Sequence, residues 1–330
     1  MKKLKVDEKN MILSGDIGGT NTRLAFFEGT TLVSEHKFKS KDHKSLEEII
    51  QLFLESQKME VTKACFGVAG PVVDGKCKAT NLPWLVDVSN LRGVCGTSDV
   101  FLLNDLETKA YGIRVLKKEE LHVIHPGDPE QKGNQALIAA GTGLGEAGLF
   151  FDGKEHHPFA CEGGHVDFAP RNDLEIELFH FLREKLTHIS YERVVSGPGI
   201  YLLYRFLTES GKVKESKEVA ELMKTEPPPL VVTKMAKKIK DPACVKTIEL
   251  FLSLYGAEAG NLALKMMSLG GFYIGGGIAP SLVEEMKTGE FLKSFMAKGR
   301  FQPFLESIPI YVILNDDASL LGAAFYAQNQ

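Results

Sequence analysis

Four groups of residues in this 330-residue chain carry side chains suited to chemistry. Asn104-Asp105 closes an apolar strand, Val100 to Leu103, and so sets an amide beside a carboxylate at a strand end, a place suited to a ligand pocket. The same pair would serve equally as a turn or as the cap of a helix starting near Glu107. In Glu162-Gly163-Gly164-His165 a carboxylate and an imidazole flank two flexible residues, so both can face one small polar molecule. Glu192 stands shortly before Val194-Val195 and a Ser-Gly-Pro-Gly turn; alone it reads as any surface glutamate. The fourth group is three glycine turns, each after an apolar strand, at 15–20, 141–145 and 275–277.

In the first turn, Gly18-Gly19 lets the backbone approach a ligand closely, and successive free N–H groups form a nest for phosphate oxygens. Thr20, Asn21 and Arg23 add side-chain donors, and Asp16 supplies a carboxylate able to orient a hydrated metal. Two glycines alone would make only an ordinary hairpin. The second turn lies in GTGLGEAG, with Gly141 and Gly143 at dinucleotide-fingerprint spacing but Glu146 where the third glycine belongs. It leads into a strand, not a helix, which argues against that fingerprint, and no GxxxxGK[ST] is present. The third, Gly275-Gly276-Gly277, precedes a helix near Pro280 and suits a flat or phosphorylated ligand. Together the three turns point to a nucleotide held between two lobes. His156, His157, Cys161 and His165 lack the paired spacing of a structural zinc site.

The elements that must position these groups follow from hydrophobic period. Strands are expected at about 11–17, 22–28 and 31–38. An amphipathic helix follows over Ser45 to Ser56, with Ser45 and Glu48 as a capping box, and then a strand over Ala64 to Ala69. Three strands, a helix and a strand form the opening order of a ribonuclease H-like domain. Val72 to Trp84 reads as irregular, with Trp84 as a packing anchor and Asn81 as a weak ligand candidate; His122 to Gly133 reads as a loop. Ala136 to Gly153 then repeats the opening element: shifted by 124 residues, Gly19 falls on Gly143, and Leu24 to Gly29 falls on Gly148 to Gly153. Helices follow at about 174–186, 200–207 and 245–269, with strands at Phe272 to Ile274 and Ile310 to Leu314. The last helix, Ala318 to Ala327, is expected to be capped by Asn315-Asp316-Asp317. Residues 1–10 read as a charged lead-in.

The length suits two domains, and 44% apolar with 25% charged residues is ordinary globular composition. A formal net charge of -4 gives no support for nucleic acid as a partner, and Lys234, Lys237, Lys238 and Lys240 read as a solvated helix face. No uncharged apolar run approaches the roughly 18 residues of a membrane span, and no secretory h-region follows the basic start. Five irregularly spaced cysteines read as reduced thiols, which favours a cytoplasmic location.

As a set, GDIGGTNTR, FGVAGPV, LLNDLETKAYG, AAGTGLGEAGL, EGGHVDFAPR, ERVVSGPG, GGFYIGGGIAP and LNDDASLLGAAF resemble the bacterial-type glucokinase family of the hexokinase–actin ATPase superfamily, from about residue 11 to 327. The resemblance implies an α/β fold of two ribonuclease H-like (actin-like ATPase) lobes with an interlobe cleft. The small lobe would be 1–116 joined by 309–330, the large lobe 117–308, with the last helix returning to pack on the N-terminal lobe. It implies transfer of the γ-phosphoryl of ATP to the 6-hydroxyl of glucose, with Mg2+. Carried over by motif, Asp105 would be the general base, and Asn104, Glu162, His165 and Glu192 would hold the sugar hydroxyls. Gly15, Asp16, Ile17, Gly18, Gly19 and Thr20 would form one phosphate loop, with Asp16 orienting magnesium-bound water. Gly141, Thr142 and Gly143 to Gly145 would form the other, and Gly275 to Ile278, including Gly276 and Gly277, would lie by the adenosine. Val166 to Pro170 stands where the repressor–open-reading-frame–kinase branch carries a zinc-binding cysteine cluster, so no zinc is implied. The implied partners are glucose and ATP, without nucleic acid or membrane; a homodimer is compatible with this reading, which does not fix the oligomeric state. A kinase of mannose or N-acetylglucosamine is the alternative among enzymes, and a nucleotide-switch protein the alternative outside them. The latter has no need of the polar set at 104–105, 162–165 and 192.

Overall fold

The computed structural model describes residues 11–79 and 82–330, so Asn81 and the lead-in lie outside the described residues. The chain divides into two compact units: Met1–Glu120 with Pro158–Ala160 and Asn315–Gln330, and Leu121–His157 with Cys161–Leu314.

In the first unit the apolar runs form β1 (Met11–Ile17), β2 (Asn21–Glu28), β3 (Thr31–Lys39), β4 (Lys63–Val68) and, after three short strands, β8 (Val100–Asn104). The short strands are β5 (Val72–Val73), β6 (Lys76–Lys78) and β7 (Leu85–Asp87). The main sheet has the order β3-β2-β1-β4-β8, with an antiparallel hairpin at β1–β2 and parallel pairing of β1, β4 and β8. Helix α1 (Leu46–Gln57) buries Leu46, Ile49, Ile50 and Phe53 on one face, with the Phe53 ring stacked on Phe26 at 5.3 Å. Ser45 caps it as expected, but Glu48 reaches the N–H of Lys44 rather than that of Ser45. Helix α2 (Val88–Cys95) adds Leu91 and Cys95 to the same core.

The C-terminal helix, Ala318–Gln328, covers the other face. Its Leu320, Ala323, Ala324 and Ala327 pack on Ile12, Ala25, Phe27 and Cys65. It also lies backbone to backbone on α3 (Asp105–Ile113): a Cβ on Gly322 would collide with the Thr108 carbonyl, and one on Gly112 with that of Ala318. Two glycines therefore set how closely these helices approach, and α3 carries Asp105 at its first position.

The second main sheet is formed by β9 (Leu121–His125), β10 (Gln135–Ala140), β11 (Leu144–Phe151), β12 (His156–Cys161, of which Pro158–Ala160 belongs to the first unit), β13 (Phe272–Gly275) and β14 (Ile310–Ile313), in the order β12-β11-β10-β13-β14-β9. Its first five strands repeat the order of the first sheet: a meander, then two parallel neighbours added beside its first strand. This is the ribonuclease H-like arrangement twice over, and the fold class is the one expected. Helices α4 (Asp173–Arg183), α5 (Tyr191–Val194), α6 (Gly197–Glu209), α7 (Lys217–Leu222), α8 (Pro228–Lys238), α9 (Pro242–Met266), α10 (Val283–Thr288), α11 (Glu290–Met296) and α12 (Gln302–Glu306) complete the second unit. Of these, α9 is apolar on nearly every side and lies within the core.

Four expectations are corrected. The stretch expected to be irregular from Val72 to Trp84 holds two short strands, β5 and β6, which form a sheet with β7, and Cys77 and Val86 join Trp84 in the core. The supposed loop at His122 begins with β9, an edge strand that exists because β14 offers it a partner. Pairing with β13 also places β14 in the second sheet, so residues 310–313 do not travel with the last helix. Among the described residues, of the caps expected at 315–317 only Asn315 holds a backbone N–H, that of Asp317 at 2.7 Å, while Asp317 makes no side-chain cap and instead pairs with Arg23. No helix among the described residues is long and apolar enough to cross a membrane, and none of the five cysteines is in a disulfide among the described residues.

Candidate active site

At the end of β8 the expected cap is present. Asn104 is 8% exposed and caps α3, its Oδ1 accepting from the Leu106 N–H at 2.9 Å, while Nδ2 donates to the Gly70 carbonyl at 3.1 Å. Glu107 accepts from the Asn104 N–H, which completes a capping box and starts the helix at Asp105, two residues before the expected start. The Asn-x-x-Glu spacing was there to be read.

Asp105 is recessed yet still reached by water, and its Oδ1 accepts from the Leu106 N–H at 3.0 Å. Burial first, and then the charge of Asp16, push its pKa up to about 6; Lys109 and the backbone bond oppose this. Asp16, near the end of β1, is also shifted upward by burial, with Lys109 and Arg23 pulling the other way. Two carboxylates and one lysine thus share a recess. Lys109 was not singled out in the sequence, although it stands four residues after Asp105 and so on the same helix face.

The first glycine turn is narrower than expected. Gly15, Asp16 and Ile17 belong to β1; Ile17 is buried in the core, and Gly15 is glycine because a Cβ would collide with Phe66. The turn proper is Gly18-Gly19-Thr20, closed by the Gly18 N–H to the Asn21 carbonyl at 3.0 Å and braced by Ser40 Oγ to the Gly18 carbonyl at 2.8 Å. Among the described residues the N–H groups of Gly19 and Thr20 donate to nothing. Arg23 is not a donor to this turn. It bonds Glu35 at 2.7 Å, the Asp316 carbonyl at 2.9 Å and Asp317, and ties β2 to the start of the C-terminal helix.

In the second unit the hairpin turn Gly141-Thr142-Gly143 joins β10 to β11 and closes by the Gly141 N–H to the Gly143 carbonyl at 2.9 Å. The N–H groups of Thr142 and Gly143 donate to nothing among the described residues. Glu192, in α5, reaches this hairpin: its Oε2 accepts from the Leu144 N–H at 3.0 Å, and a Cβ on Gly143 would strike it. The segment Glu162–His165 is a turn of 3-10 helix lying on the same strand, since a Cβ on Gly164 would collide with the Leu144 carbonyl and one on Gly163 with the Glu146 side chain. Glu162, His165 and Glu192 are therefore gathered around the first residues of β11. The Glu162 and His165 side chains are exposed and make no hydrogen bond among the described residues.

After β13, Gly276 has φ +84° and lies against the Ala140 carbonyl, so any side chain there is excluded twice, while Gly277 faces open space. Ser281 Oγ donates to the Ile278 carbonyl at 2.7 Å and Lys237 Nζ to the Ser281 carbonyl. Separately, helices α8, α9 and α10 line a groove of about 740 Å³ that includes Lys237, Ile248, Leu252, Leu282 and Glu285.

The geometry agrees with the comparisons. The glucokinase family model matches residues 13–330. A glucokinase of Nostoc punctiforme is 40% identical, over 96% of this chain and 98% of its own length. One from Escherichia coli O9:H4 is 36% identical, over 94% and 95%. The crystal structure of a glucokinase from an Antarctic psychrotroph superposes with a TM-score of 0.82 at 30% identity, covering 97% of this chain and 99% of that one. With the match running from residue 13 to the last, and two ribonuclease H-like units bearing paired glycine hairpins and a recessed strand-end carboxylate, this chain belongs to the glucokinase family.

Proposed function

We propose that this chain transfers the γ-phosphoryl of ATP to the 6-hydroxyl of glucose, with Asp105 as the general base. The observation that carries the reading is the recess at the β8–α3 junction, where Asp105 is brought to a pKa of about 6. An alcohol is a poor nucleophile near neutrality. A carboxylate that is ionised there, yet a better base than an ordinary one, takes the proton as the new bond forms, which contributes roughly 10²–10⁴-fold.

The sugar-holding roles follow from what each side chain has left to offer. Glu162 and His165 have their full donor and acceptor capacity. Glu192 keeps Oε1, its Oε2 being taken by Leu144. Asn104 keeps one N–H, because its oxygen caps α3 and its other N–H holds Gly70. Mixed donors and acceptors set in fixed positions discriminate hydroxyl epimers by leaving a wrong one unpaired.

The open N–H groups of Gly19, Thr20, Thr142 and Gly143 would receive phosphate oxygens as charge spreads over them. The Gly275–Ile278 loop, where Gly277 faces open space, would lie by the adenosine. Asp16 has no hydrogen-bond donor on its carboxylate among the described residues, which leaves its oxygens available to accept from Mg2+-bound water. Bound there, the cation would neutralise phosphate charge. On this reading the two units are the small and large lobes. A coupled assay over glucose, mannose and N-acetylglucosamine, with ATP and other donors, tests it: glucose with ATP should give the highest kcat/KM, and chelating magnesium should abolish it. Preference for another hexose would reject glucose as the substrate.

A further inference from the structure

Beneath the segment 162–165 lies a carboxylate pair that the reaction above does not use. Glu146, on β11, is 1% exposed, and Glu258, on α9, is fully buried. Their carboxyl groups are within hydrogen-bonding reach of each other; among the described residues no donor satisfies Glu146 Oε1, and Glu258 Oε1 faces only the ammonium of Lys265. Two buried carboxylates side by side do not both ionise; one proton held between them makes one the donor and the other the acceptor.

The neighbouring charges do not replace that proton. Lys265 Nζ lies 3.5 Å from Glu258 Oε1, but its side chain is 50% exposed to water. Lys298 is engaged by Asn261 Oδ1 at 2.5 Å and the Ala257 carbonyl at 2.9 Å, with Arg171 opposing its charge from beyond. Tyr255 and Cys161 also face Glu146, and burial keeps both neutral.

The pair touches the sugar-holding residues at both ends. Glu146 Oε2 packs directly under Gly163, in the middle of Glu162–His165. Glu258 Oε2 accepts from Asn261 Nδ2 at 2.9 Å, and that Nδ2 also donates to the Tyr191 hydroxyl at 3.2 Å, one residue before Glu192. We propose that Glu146 and Glu258 share one proton and act as a positioning pair that holds Glu162–His165 and Glu192 in place for the sugar, and that loss of this proton in alkaline solution loosens the hold. The role rests on the reading that these residues bind the sugar.

The test measures KM for glucose and for ATP from about pH 6.5 to about pH 9.5 in the unaltered protein, Glu258→Gln and Glu258→Ala. The glucose KM of the unaltered protein should rise roughly tenfold across the alkaline half while the ATP KM stays level. Gln supplies a permanent N–H donor to Glu146, so Glu258→Gln should flatten the glucose profile. Glu258→Ala should raise the glucose KM already at neutral pH, a rise that Gln largely rescues. The same alkaline rise in Glu258→Gln as in the unaltered protein would overturn the proposal. Infrared spectroscopy of the free protein reads the proton without turnover: a protonated-carboxyl band should persist above neutral pH and vanish in the Glu146→Gln/Glu258→Gln double variant. Absence of that band overturns proton sharing. With the band present, failure of the unaltered protein to phosphorylate glucose would overturn the kinase reading and the sugar role with it.

Discussion

Asp105→Asn should make the protein more stable and nearly inactive, and the stability gain should depend on pH. The folded state raises the Asp105 pKa from 3.8 to about 6, through burial and the nearby Asp16 charge. At about 1.36 kcal/mol per unit, ionising Asp105 in the folded protein costs at most about 3 kcal/mol more than in the unfolded chain, less whatever its contact with water screens. The sign follows from proton binding: the folded state holds this proton longer than the unfolded state. Stability is therefore lost as pH rises from the unfolded pKa to the folded one, and stays lost above it. The loss is about 1.6 kcal/mol at about pH 5 and about 3 kcal/mol at about pH 8. Asn keeps the oxygen that accepts from Leu106 and carries no charge, so its advantage should grow by about 1.4 kcal/mol between those two conditions. Urea unfolding of both proteins at both pH values measures this, and a coupled assay at pH 8 should show turnover reduced roughly 10²–10⁴-fold with glucose binding retained. An advantage that is equal at the two pH values would refute burial of charge as its origin. Turnover close to that of the unaltered protein would refute Asp105 as the base.

Asp16→Asn removes a charge that raises the Asp105 pKa, so the acid limb of kcat/KM should move to lower pH; Lys109→Met removes an opposing charge and should move it to higher pH, both read from pH–rate profiles. Gly322→Ala drives a methyl group into the Thr108 carbonyl and should destabilise the first unit by roughly 1–3 kcal/mol in urea unfolding, with stability unchanged counting against the close approach of the two helices. His165→Ala should raise the glucose KM by more than the ATP KM, and an equal rise in both would remove His165 from the sugar site.

The sequence by itself determined whatever depends on neighbours along the chain. The hairpin turns at Gly18-Gly19 and Gly141–Gly143, the cap of α1 at Ser45 and the strand-end position of Asn104-Asp105 follow from turn chemistry, capping and hydrophobic period, and each stands where those rules put it. The repeat at 124 residues likewise announced two units of one topology, because similar strand–turn–strand segments bury similar faces. What depends on partners far along the chain was decided only by the tertiary structure. Arg23 reads as a phosphate donor until Glu35 and Asp317 are seen to take it, and Asp317 reads as a cap until Arg23 does. Leu121–His125 becomes a strand only against β14. Which turn N–H groups remain open, and which oxygen of Glu192 remains free, depends on pairings that the sequence does not state. The same is true of the two charge-bearing recesses. A carboxylate's pKa is set by its burial and its neighbours' charges, so the ~6 of Asp105 and the buried pairing of Glu146 with Glu258 arise from residues brought together by folding, not from the motifs that contain them.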